Sequence, residues 1–162
     1  MARTIARRPG GEWRLLLLVA TGWLACPVVA GAQQLELSIS PLVVTFPTTE
    51  PDAAPVLNAP PVSVQYRVRG NGNRQWLITV ETSGDLISGQ SRIPASAVSW
   101  LATPAPPFRA GTMSGTQAQT VASGNGNVNP TTTGTVTFRL TNSWNYDAGT
   151  YLQTFTFTLS TP

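Results

Sequence analysis

Few residues in this chain can do chemistry. The 162 residues contain no His, and all ten basic residues are Arg. Imidazole acid–base catalysis, Ser-His-Asp triads, Lys Schiff bases and His-ligated metals are therefore excluded. Carboxylates, hydroxyls and aromatic rings remain. Glu81 and Asp85 flank the turn 82–84 and come nearest to a pair of acids across a cleft, but acids at a turn read as solvated. Glu50 and Asp52 stand in a Pro-rich stretch. A calcium ion there would want a third acid or an Asp/Asn ladder, and the neighbouring sequence has neither. Gly70–Asn73 and Gly124–Asn127 both read Gly-Asn-Gly-Asn. Neither precedes a helical pattern, so neither reads as a phosphate cradle. The chain is thus expected to have no catalytic, cofactor-binding or metal-binding residues and to be no enzyme. Trp100, Trp144 and Tyr146 are the candidate ligand platform, because exposed aromatic rings stack on sugars. The competing expectation is that these rings cap the ends of a core.

The elements that would carry these residues are strands. Between 33 and 162 there are 20 Thr and 12 Ser, and β-branched Thr suits a pleated, half-exposed surface. No window has apolar residues at helical spacing, whereas period-2 alternation recurs. Leu35, Leu37 and Ile39 alternate with polar residues, as do Val62, Val64, Tyr66 and Val68. Trp76, Ile78 and Val80 share a face, as do Val136, Phe138 and Leu140. Tyr151, Gln153, Phe155, Phe157 and Leu159 share another, opposite Leu152, Thr154, Thr156 and Thr158. Shorter strands are expected at Leu42–Phe46, Ala97–Leu101, Arg109–Met113 and Gln117–Ser123. Gly70–Asn73 has the composition of a hairpin loop, with Gly124–Asn127 a second loop of the same kind. Pro47–Pro61 reads as one long surface connection. Strands with one wet and one dry face, and no helix, predict an antiparallel β-sandwich over 33–162.

Residues 1–32 read as an export signal. Arg3, Arg7, Arg8 and Arg14 precede the apolar run from Leu15, and Ala30-Gly31-Ala32 is a small-x-small cleavage site. The expected mature chain begins at Gln33. The apolar run is shorter than the ~20 residues of a spanning helix, so no membrane span is expected after cleavage. Cys26 lacks the upstream aliphatic residue of a lipidation site, since Trp23 stands there. The net charge of +3 resides in this segment, with four Arg and Glu12; residues 33–162 hold six Arg and six acids and sum to zero. The sequence pI of 9.8 therefore gives no reason to expect a nucleic acid partner. The sole Cys also lies in the leader, so the domain is expected to fold without a disulfide.

Asp147-Ala148-Gly149-Thr150-Tyr151 has the D-x-G-x-Y form that opens strand F of immunoglobulin-like sandwiches, where the Tyr hydroxyl ties the corner to the backbone. Gln153 stands where that pattern places a Cys, and Trp76 is the expected core Trp near it. No further strand fits after Leu159. The run from Ala148 to Leu159 resembles the closing strand of bacterial pilin-type surface subunits, especially the spore-coat-U and archaic chaperone–usher type. Trp76–Val80 is similar to WxL-type bacterial surface domains, without the Trp-x-Leu triplet itself. The pilin resemblance implies an immunoglobulin-like sandwich that lacks its last strand and receives one from a neighbour's N-terminal segment. Leu35, Leu37 and Ile39 are the candidate assembly strand, closing the final sheet edge either in its own domain or in a neighbour's. The functional expectation is an exported, non-catalytic surface or structural protein, pilin- or adhesin-like, at the cell surface, outside the cell or in the periplasm. Its partners would be copies of itself, other assembly subunits or a surface glycan. The alternative is a small carbohydrate-binding module.

Overall fold

The structure, a computed structural model, describes residues 33–162. The leader and its cleavage site lie outside the described residues. Alternation becomes strand: β1 (Gln34–Ser40), β2 (Val56–Asn58), β3 (Val62–Arg69), β4 (Gln75–Thr82), β5 (Leu86–Ser88), β6 (Ser91–Ile93), β7 (Val98–Thr103), β8 (Gly111–Thr112), β9 (Gln119–Asn125), β10 (Val128–Thr141) and β11 (Phe155–Ser160). Among the described residues the only helical piece is a single 3-10 turn, Ala95–Ala97. One sheet has the order β1-β3-β10-β7-β8, with β2 also on β10; the other has the order β11-β4-β9. Every pairing is antiparallel. The two sheets pack as an antiparallel β-sandwich, and β5–β6 form a small separate hairpin.

The inward faces are those the period-2 pattern assigns. Val62, Val64, Tyr66 and Val68 of β3 are buried, with Trp76, Ile78 and Val80 of β4 and Val136, Phe138 and Leu140 of β10. A register shift in β9 against β4 lets consecutive residues, Val121 and Ala122, both point inward. Large rings are accommodated by missing side chains. Trp76 lies opposite Gly124, where a Cβ would come 2.5 Å from the indole. Phe108 lies over Gly134, where a Cβ would meet the ring at 2.1 Å. Tyr66 links the two, its ring centroid 4.9 Å from that of Trp76 and 5.8 Å from that of Phe108.

Several expectations need correction. Gly70–Asn73 is not a hairpin: it carries the chain from β3 in one sheet to β4 in the other, and Gly124–Asn127 carries it back from β9 to β10. The two loops lie side by side, with Gly126 N donating to Arg74 O (2.8 Å) and Gly70 N to Asn127 Oδ1 (2.9 Å). Gly-Asn composition specifies a tight reversal but not the sheet that receives the next strand. Leu42–Phe46 forms no ladder. Pro41 and Pro47 bracket it without N–H donors, and only Val44 and Phe46 pack on the core. Within Arg109–Met113 only Gly111–Thr112 is strand, because Arg109 N is already bonded to Val121 O (2.8 Å). The connection Pro47–Pro61 contains β2, whose Leu57 is buried; Ala59 N continues the ladder to Phe138 O (2.9 Å) until Pro60-Pro61 interrupts it. Trp76 does not sit near Gln153. It lies at the Gly-Asn end of β4, whereas Gln153 bonds Thr82 Oγ1 and Gly84 O at the other.

Candidate functional site: the open edge of the three-stranded sheet

The C-terminal corner forms as its sequence predicts. The Tyr151 hydroxyl donates to the Asp147 carbonyl at 2.9 Å. Asp147 also accepts a hydrogen bond from Ser91 Oγ, and Leu152 pairs with Ile87, so the β5–β6 hairpin braces this segment. The corner delivers the chain into β11, which pairs with β4 from Phe155 opposite Thr82 to Ser160 opposite Leu77. Beyond β11, among the described residues, no strand follows. Its outer row of N–H and C=O groups has no ladder partner there.

The side chains reflect that vacancy in the sheet. Phe155, Phe157 and Leu159 face the core, on the side the alternation assigns, but are only half-buried, unlike their neighbours on β4. Phe138 holds them, its ring stacked on Phe155 at 4.7 Å and edge-on to Phe157 at 6.4 Å. Thr154, Thr156 and Thr158 face solvent.

Leu35–Ile39 does not close this edge. It belongs to β1, which pairs with β3 in the opposite sheet, Leu35 opposite Val68 and Ile39 opposite Val64. The reason lies in alternation itself: three apolar residues on one face fit any edge above the same core, and β3 offers a longer one than β11. Leu37 and Ile39 pack against the core, while Leu35 is more exposed. The β1 and β11 edges nonetheless lie on the same side of the sandwich, where Thr161 Oγ1 donates to Gln33 Oε1 (3.0 Å). The opposite side is shut: Phe108 bridges to Ala122, and Ser123 N bonds Pro107 O (3.2 Å).

The three aromatic residues of the expected platform are not one surface. Trp100 is 1% exposed, its indole N–H donating to Arg109 O (2.9 Å), so it is a core residue and can present no face to a ligand. It is enclosed because it lies on β7 directly opposite Phe138 and, on the other side, Gly111. Tyr146 is half-buried against the core. Trp144 alone is open, 65% exposed, with its indole N–H held by Asp52 Oδ1 at 3.0 Å.

Of the four candidate acids, the side chains of Asp52 and Asp85 have hydrogen-bond partners. Asp85 Oδ1 accepts the Ala95 N–H at 3.0 Å, and Glu36 pairs with Arg67 at 3.3 Å. Glu81 is exposed, on the solvent face of β4. No three His, Cys, Asp or Glu side chains converge among the described residues, nor does any described helix have the length and apolarity to cross a membrane. Burial raises the pKa of the Tyr66 hydroxyl above its ordinary value.

The edge problem at β11 was legible in the sequence, but within its own domain Leu35–Ile39 lies on β3 and does not solve it. The available signal was the absence of any Asp, Glu, Lys or Arg from Ala148 to Pro162, a stretch with none of the charged side chains that usually guard an edge. The chain matches no protein-family model and no curated protein.

Proposed function

We propose that this chain is an exported, non-catalytic bacterial surface or structural protein, pilin- or adhesin-like, that works by assembly. The observation that carries the reading is the open edge of β11. Free ladder groups lie beside the half-buried Phe155, Phe157 and Leu159. Adding an extended strand there satisfies the backbone and covers the apolar strip, which is the physics of β-augmentation. Because Leu35–Ile39 is used within its own first sheet, the added strand comes from another molecule. Expression of the full chain in a bacterium tests the reading. The expected result is protein outside the cytoplasm, beginning at Gln33 and sedimenting as a concentration-dependent oligomer. Protein retained in the cytoplasm, or monomeric at every concentration, refutes it.

One observation favours the carbohydrate-binding alternative: Trp144 presents an exposed indole in an orientation fixed by Asp52. Binding at that ring predicts glycan-dependent Trp fluorescence that Trp144→Ala abolishes, in a protein that stays monomeric.

A further inference from the structure

Among the described residues the two sheets have four end strands, and three are guarded. The outer side of β9 is bonded by the segment Pro107–Arg109. Strand β8 is two residues long and contains Gly111. Strand β1 carries Glu36, ion-paired to Arg67, and is followed directly by Pro41. Charges, prolines, short length and covering segments are the usual devices that keep an edge from pairing with another chain. Strand β11 has none of these in its own sequence: its six residues, Phe-Thr-Phe-Thr-Leu-Ser, are uncharged, contain no Pro or Gly, and keep an unbroken register with β4, and β1 approaches it only from the other sheet, joined by the Thr161–Gln33 hydrogen bond just past its end.

We infer that β11 pairs with β11 of a second copy, antiparallel and about a two-fold axis through Phe157. This rests on the assembly reading above and names its partner. The register follows from the side chains. Directly opposite residues in an antiparallel pair share a face. In an interface between identical strands the pairing must also be self-complementary. With Phe157 opposite Phe157 of the second copy, Phe155 lies opposite Leu159 and Thr156 opposite Thr158. All three apolar residues of each strand then meet apolar residues, and hydroxyls meet hydroxyls. Moving the axis to Thr156 sets Leu159 opposite Gln153. Moving it to Thr158 sets Phe155 opposite Thr161. Either shift strands one large apolar side chain in each copy against a polar residue. No Asp, Glu, Lys or Arg occurs between Ala148 and Pro162, so the axis brings no like-charged side chains together along the strand. The pairing joins the two three-stranded sheets into one six-stranded sheet. One strand pair is a small interface, below the roughly 1,200 Å² of a standard stable complex, so the association is weak and depends on concentration.

Residues 33–162 contain no Cys, which makes disulfide trapping clean once Cys26→Ser removes the one leader thiol. Thr156→Cys and Thr158→Cys are placed separately in the full chain; both sites are exposed, so both variants should fold. Under mild oxidation, the mixture should form disulfide-linked dimers several-fold faster than either variant alone, because Thr156 and Thr158 face each other only across copies. Sedimentation of the unmodified chain is run alongside. Oligomers without preferential Thr156–Thr158 trapping overturn the β11 pairing and leave assembly by another route standing. A monomer at every concentration overturns both.

Discussion

Gly134→Ala is the sharpest single test of the packing. Gly134 lies in β10, and a Cβ built there falls 2.1 Å from both Cε2 and Cζ of Phe108 and 2.7 Å from Cδ2. Ordinary carbon contacts lie at about 3.5–4.0 Å, so the ring would have to retreat by well over 1 Å. It has little room to do so. Phe108 is 2% exposed, stands edge-on to Tyr66, and is fixed by its own N–H to Pro104 O (3.1 Å). The cost therefore sits at the upper end of the ~1–3 kcal/mol typical of overpacked cores. Restricting the unfolded chain returns about 0.4–1 kcal/mol. The net expectation is a loss of about 2 kcal/mol, or a fall in Tm of roughly 6–8 °C for a domain of this size. Denaturant unfolding followed by Trp fluorescence measures it. Two controls isolate the cause. Gly115→Ala, where the nearest atom to a Cβ is Ala95 Cβ at 3.7 Å, should change stability by less than ~0.5 kcal/mol. In a Phe108→Leu background the ring atoms Cε2 and Cζ are gone, so Gly134→Ala should become neutral or mildly stabilising. A neutral Gly134→Ala in the parent, or a double variant whose losses simply add, would refute the reasoning.

Phe155→Ala should cost ~2–3 kcal/mol, less than the ~3–5 of a fully buried Phe, because the ring is stacked on Phe138 yet half open. Thr156→Ala on the opposite face should cost less than about 1 kcal/mol, and equal losses in chemical denaturation would mean the face is misassigned. Tyr151→Phe removes the hydrogen bond to Asp147 O and should lower stability by about 0.5–1.5 kcal/mol, read as a shift in denaturant midpoint; no shift would make the corner energetically idle. Tyr66 is an acid whose folded pKa is raised by burial above the ordinary tyrosine value. Its contribution to stability is complete below that pH and is lost as pH rises through the folded value, because the unfolded chain ionises first. Alkaline unfolding of the parent should therefore steepen above about pH 10 relative to Tyr66→Phe, and identical pH profiles would remove Tyr66 from the account.

Much of the fold was legible in the residues. Alternation alone assigned Val62–Val68, Trp76–Val80 and Val136–Leu140 to the core and Thr154, Thr156 and Thr158 to solvent, because the strand period of two ties each side chain's face to its neighbour's. The D-x-G-x-Y run carried its own corner, since Tyr151 needs only a carbonyl four residues upstream. Composition excluded His- and Lys-based chemistry without any structure. The tertiary structure alone decided which edge each strand joined. Leu35–Ile39 fits β3 and β11 equally by pattern, and the Gly-Asn loops reverse the chain equally well within a sheet or between sheets. Likewise Trp100 and Trp144 are the same residue type, each directly preceded by a Ser. Only the long-range pairing of β7 with Phe138 and Gly111 buries one and leaves the other on the surface. The physical reason is that ladders are made by backbone N–H and C=O groups, which are alike at almost every residue. A side-chain pattern can therefore fix a strand's face while leaving its neighbour, and hence the open edge at β11, to the packing of the whole domain.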